Sequence, residues 1–130
     1  MTLGGGNHNI MKSIRSLSEH EKAIITAMLQ NKNEFQYLLD SLDNVFVAEM
    51  DDGGMGSLQL VPNGLENVDR SMGKQVALGE FIDSDEVPVS VALNVDRQDG
   101  LYELDIWKVD FSPLLSWPSP SVIKIVEPSG

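Results

Sequence analysis

The chain has 130 residues, enough for one domain of ordinary size and too few for two independent enzyme domains. Twenty acidic residues against nine basic ones give a formal charge of -11 and a pI near 4.3, which argues against nucleic-acid backbones and anionic membranes as partners. There is no cysteine, so disulfides, thiolate metal sites and cysteine nucleophiles are excluded, in keeping with a reducing compartment.

Met1 to Ile10 lacks the apolar core of a signal peptide, and no stretch approaches the ~20 apolar residues of a membrane span. The expectation is a soluble, cytoplasmic protein. Gly4-Gly5-Gly6-Asn7-His8-Asn9 is permissive in backbone and poor in packing groups, which predicts a flexible tail over residues 1–13 ahead of a single domain over 14–130.

Ser18 stands three residues before Glu21, the spacing at which a hydroxyl and a carboxylate each satisfy a free backbone N–H at a helix start. Ile24, Ile25, Met28 and Leu29 then recur at helical spacing. After the weak helix formers Asn31 to Asn33, residues Phe35, Leu38, Leu39 and Leu42 repeat that spacing and predict a second helix. From Asn44 the pattern changes. Val45-Phe46-Val47-Ala48 reads as a strand, Asp51-Asp52-Gly53-Gly54 as a turn, and Leu58 and Leu60 as the inward residues of a returning strand.

Pro62 to Lys74 is polar and predicts a long loop, with an extra hairpin at Asn63-Gly64 as the alternative. Val89, Val91, Leu93 and Val95 alternate with Ser90, Ala92, Asn94 and Asp96, and Arg97-Gln98-Asp99-Gly100 turns the chain back. On the return, Tyr102, Leu104 and Ile106 share one phase, whereas Trp107, Val109 and Phe111 take the other. That change implies a bulge or a strand end covered on both faces, with Trp107 and Phe111 in the core. Four prolines, at 113, 118, 120 and 128, restrict any further strand to Ser121 to Val126. The expected class is α+β: two N-terminal helices packed on an antiparallel sheet of about five strands.

Catalytic groups are scarce. His8 falls in the tail and His20 in the first turn of a helix, leaving no preorganised base for a Ser-His-Asp arrangement, and zinc sites need more His or Cys than the chain has. Gly53-Gly54-Met55-Gly56-Ser57 lacks the Gly-Lys-Ser/Thr ending of a phosphate loop and follows two acids, so it reads as a tight turn. In Asp83-Ser84-Asp85-Glu86, Val87 and Pro88 occupy positions where a calcium loop needs a ligand and a glycine. No cofactor is expected, and the chain is read as non-catalytic.

The charge is unevenly placed. Residues 1–40 hold four acids and four bases, while 41–130 hold sixteen and five, so the whole excess lies in the strand-forming part. This predicts an acidic surface that steers a basic protein partner, with Asp83, Asp85, Glu86, Asp96, Glu103 and Asp105 as its carboxylates and Trp117 as an aromatic anchor.

Asp51-Asp52-Gly53-Gly54-Met55-Gly56-Ser57-Leu58, Val87 to Asp96 (VPVSVALNVD) and Leu101 to Leu114 (LYELDIWKVDFSPL) resemble a family of small uncharacterised bacterial proteins, a domain of unknown function. That resemblance implies a bacterial α+β domain and carries no catalytic residue. In size, acidity and lack of catalytic groups the chain also resembles, by type, the immunity proteins of contact-dependent-inhibition and polymorphic-toxin systems. The leading expectation is therefore a cytosolic immunity protein whose acidic surface neutralises a basic, nuclease-type toxin domain. The alternatives are a nucleic-acid-mimic regulator and a small carboxylate- or divalent-metal-dependent enzyme using Asp51, Asp52, Asp83, Asp85 and Glu86 as oxygen ligands.

Overall fold

The structure, a computed structural model, describes residues 14–51, 53–62 and 70–126. The expected tail over 1–13, Asp52 and the Asn63-Gly64 turn lie outside the described residues. In chain order the elements are β1 (Ile14–Ser16), α1 (Glu19–Leu29), α2 (Gln36–Asp40), β2 (Val45–Glu49), β3 (Leu58–Pro62), β4 (Met72–Ile82), β5 (Pro88–Asp96), β6 (Leu101–Lys108) and β7 (Lys124–Val126).

The strands form one seven-stranded sheet in the order β1-β2-β3-β6-β5-β4-β7, and every neighbouring pair is antiparallel. This corrects the expected α+β class with two helices on about five strands: the fold is nearly all β, with two short helices. Part of the reason lies in residues 33–44, where only five residues are α-helical between two 3₁₀ turns, and no side chain caps any of these three elements. The added edge strands β1 and β7 have three residues each, too few for alternation to show. β4 lacks a clean period because its pairing with β5 shifts register twice. A glycine also takes one of its inward positions: a β-carbon at Gly79 would come within 2.7 Å of Ile123 Cγ2.

The helix start at Ser18 follows the expected rule. Ser18 Oγ accepts from Glu21 N at 3.1 Å and Glu21 Oε1 accepts from Ser18 N at 2.8 Å, so two N–H groups left without helical acceptors are satisfied. Ile24, Ile25, Met28 and Leu29 bury the inner side of α1 in the core with Val47, Leu60, Leu93, Leu104 and Ile106. Each such side chain, withdrawn from water, contributes roughly 1.5–3 kcal/mol before chain entropy is counted.

Register defines the two faces. Leu58↔Leu104↔Leu93↔Ala77 and Ile106↔Val91↔Gly79 run across the core face. The opposite face carries Gln59↔Glu103↔Asn94 and Trp107↔Ser90↔Glu80. The expected hairpins β2–β3 and β5–β6 are both present. Among the described residues no helix is long and apolar enough to cross a membrane.

Candidate functional site

The three quoted motifs meet at one end of the sheet, where the β2–β3 turn, the β4–β5 turn and the chain leaving β6 converge. At their centre is Lys108. Its position continues the inward phase of Leu104 and Ile106, so a cation follows two core residues and has no exposed surface. Its Nζ donates to Asp83 Oδ2 at 2.8 Å, Asp85 Oδ2 at 2.8 Å and Pro113 O at 3.1 Å. An ammonium has three protons, and all three are used.

Asp83 is equally saturated. Oδ2 also accepts from Leu115 N at 2.9 Å, while Oδ1 accepts from Ser84 N at 2.7 Å and Ser116 N at 3.2 Å. Burial pushes this carboxyl up, yet the bonds from Lys108 and the three backbone N–H groups outweigh it and hold it at about 2. Burial likewise pulls the Lys108 ammonium down, and its bonds to Asp83 and Asp85 reverse the sign and raise it. Asp83 and Asp85, considered as metal ligands, thus converge on an ammonium, and Glu86 is exposed at a φ of 68°. Among the described residues no group of three or more acidic or imidazole side chains is arranged to hold a metal ion.

Residues 109–119 wrap this end of the sheet, passing from the outer face to the helix side. The glycine turn lies beneath them. Gly54 O accepts from Leu114 N at 2.9 Å, and a β-carbon on Gly54, at φ 84°, would stand 3.1 Å from Pro113 Cβ. That close approach, at a left-handed backbone, is the physical demand behind the glycines. Trp117 packs partly buried against the core and edge-on to His20 at 6.0 Å, and His20 Nε2 lies 2.9 Å from Pro118 O. Beside it a cavity of about 220 Å³ is lined by Arg15, Glu21, Glu49, Gly54, Gly56, Ser57 and Trp117, among others. Its charge is spoken for. Arg15 forks onto Glu21 at 2.9 and 2.8 Å, which holds Glu21 below the usual carboxylate range against its own burial.

The expectation that Trp107 and Phe111 are core residues is overturned. Trp107 is 48% and Phe111 67% exposed. The phase change seen in the sequence is neither a bulge at that point nor a doubly covered strand end: Lys108 keeps the inward phase, and Trp107 belongs to the outer face with Glu103 and Asp105. The rings of Trp107 and Phe111 lie 5.9 Å apart, inclined at 50°. Ile82 and Val109 are exposed at the same end, where Ile82 pairs with Pro88 and Val109 N donates to Pro88 O. Phe111 has a φ of 63°, a backbone region that costs a bulky residue roughly 1–3 kcal/mol and glycine almost nothing. The turn is held there by Phe111 N donating to Lys108 O at 2.9 Å and by Asp110 Oδ1 accepting from Ser112 N at 3.0 Å and Ser112 Oγ at 2.6 Å.

Of the six carboxylates expected to form one acidic surface, Glu86 is exposed in the β4–β5 turn and the other five are split among three places. Asp83 and Asp85 are engaged by Lys108. Asp96 is buried at the opposite end of the sheet, where it accepts from Gln98 N and Gly100 N at 2.8 and 2.9 Å and from Arg70 Nη1 at 3.2 Å. Glu103 and Asp105 lie on the outer face; Glu103 accepts from Asn94 Nδ2 at 3.0 Å, and Asp105 is exposed. Glu80, not picked out from the sequence, joins that face through its pairing with Ser90. Lys108 also escaped notice, although the spacing of positions 104, 106 and 108 was the available signal.

The protein family described as Domain of unknown function (DUF6984) matches over residues 14–118. The chain belongs to this family. The matched span of this DUF6984 protein takes in the Lys108 cluster and all but the last residue of the segment that wraps it. No curated protein and no solved structure matches the chain significantly.

Proposed function

We propose that this DUF6984 protein is a non-catalytic binding protein, bacterial and cytosolic, of the immunity type, whose acidic outer sheet face docks on a basic, nuclease-type toxin domain. The observation that carries this reading is the asymmetry of the sheet. One face is closed by α1 and the core, whereas on the other Glu80, Asp105 and Trp107 are exposed around Ser90 and Ala92. Across β5 and β6 this face has no lysine or arginine, because the single cation of the two strands, Lys108, is directed inward. Glu80 stands opposite Lys124 of β7, so the unbalanced carboxylates are Glu103 and Asp105 of β6, whose cross-strand neighbours Gln59, Asn94 and Ala92 are uncharged. On a rigid sheet they raise the encounter rate with a basic surface and set the salt dependence of the complex.

The test begins with the neighbouring reading frame, which should encode a large protein ending in a basic domain. The purified pair should form a complex that weakens with salt and weakens further with the Glu103→Lys and Asp105→Lys substitutions combined. A neighbourhood without such a frame, or an affinity that charge reversal leaves unmoved, overturns the reading.

A further inference from the structure

We infer that Trp107 and Phe111 form an arginine-stacking clasp, the anchoring point of the outer face for a guanidinium side chain of a basic protein partner; this rests on the binding function proposed above. Strain gives the first argument. Phe111 is held at a left-handed φ of 63° with the residue 67% exposed, so the fold accepts a conformational cost with little burial in return. Observed outliers of this kind concentrate at ligand-contacting positions.

Rigidity gives the second. The turn that presents Phe111 springs from the backbone of Lys108, whose side chain is fixed by three hydrogen bonds, so the ring pair is offered by a preorganised support. Chemistry gives the third. A guanidinium is planar, weakly hydrated and attracted to aromatic faces, and two acidic residues flank the rings in the chain: Asp105, two positions before Trp107 on the same face, whose Oδ1 accepts from Ser57 Oγ at 3.3 Å, and Asp110, next to Phe111, whose Oδ1 accepts from Ser112. A second copy of the chain is a poor occupant, since at a net charge of -11 two acidic faces repel.

The experiment uses hexa-arginine, hexa-lysine and hexa-glutamate peptides as probes, and the two indole N–H signals in a ¹⁵N-resolved spectrum as the readout. Hexa-arginine should shift the Trp107 signal and leave that of Trp117 in place; hexa-lysine should bind more weakly and hexa-glutamate not at all. Phe111→Gly should weaken arginine-peptide binding by about tenfold or more while leaving Tm unchanged or higher, because glycine relieves the strained turn. Phe111→Ala, which keeps the strain and loses the ring, should weaken binding to the same extent with no gain in Tm. Wild-type binding by both Trp107→Ala and Phe111→Gly, a shift at Trp117 instead, or no titration by hexa-arginine at low salt overturns the clasp. If binding resists both ring substitutions yet falls with Glu103→Lys and Asp105→Lys, the clasp fails and the acidic docking face stands.

Discussion

Lys108 Nζ and Asp83 Oδ2 meet at 2.8 Å with neither side chain open to solvent. Two opposite charges are thereby taken out of water at the end of a β-sheet, and the arrangement holds because every proton of the one and all four acceptor positions of the other are occupied. The pair organises the chain around it: through Pro113, Leu115 and Ser116 it fixes the segment that wraps the sheet end, and through that segment the seats of Phe111 and Trp117.

Removing one partner of such a pair leaves an uncompensated buried charge, which is far more damaging than replacing both by apolar groups. Asp83→Ala should therefore lower Tm by on the order of 10 °C, measured by circular dichroism. The joint change of Asp83→Leu and Lys108→Met should recover part of that loss. A larger drop in the double variant than in Asp83→Ala would mean that the ion pair is not the source of the effect.

Acid should weaken the fold through the same carboxylate. The folded Asp83 titrates at about 2 against an ordinary 3.8, so its stabilisation is fully present above the unfolded value and fades as pH falls through 3.8 toward 2. Glu21, also lowered by its partners, adds to the slope in the same direction. Lys108, raised above its ordinary 10.5, acts at the other limit: its contribution is complete below 10.5 and is lost as pH climbs through its folded value. Urea midpoints should be flat across neutral pH and decline below about pH 4, with a shallower acid limb in Asp83→Asn.

Gly79→Ala tests the C-terminal edge of the sheet. The new β-carbon would lie 2.7 Å from Ile123 Cγ2, on the side where β7 pairs with β4 through Leu78↔Val126, Gly79↔Ile125 and Glu80↔Lys124. Overpacking of this kind should cost about 1–3 kcal/mol. Hydrogen exchange should accelerate first in Lys124–Val126, ahead of β5 and β6; uniform acceleration would show that β7 is not a separable edge.

Sequence made legible what short-range rules govern. Ser18 and Glu21 announce a helix start because both halves of a capping box lie within one turn, and the β5–β6 hairpin shows because four branched or aliphatic residues alternate across the seven positions from Val89 to Val95. Contacts between distant segments were hidden. The inward phase of positions 104, 106 and 108 is the one local sign that Lys108 is buried, and what allows a cation there is not local, since its acceptors come from residues 83, 85 and 113. Trp107 and Phe111 look like core residues by type, and only the phase retained by Lys108 places them outside. Helical spacing at Phe35, Leu38, Leu39 and Leu42 overstated a helix because the same spacing serves a short helix between 3₁₀ turns.

Strand order has a consequence for how the molecule is made. β6 stands in the middle of the row yet is the sixth strand to be synthesised, and β3 joins it over just Leu58↔Leu104 and Gln59↔Glu103. Chains leave the ribosome N-terminus first, so the β1–β3 group and the β4–β5 hairpin emerge before the strand that unites them. Until then β3 and β5 each present an unpaired edge, the kind of surface that recruits other chains. A nascent chain halted before residue 101 is accordingly two open half-sheets in need of protection, not a smaller version of the finished fold.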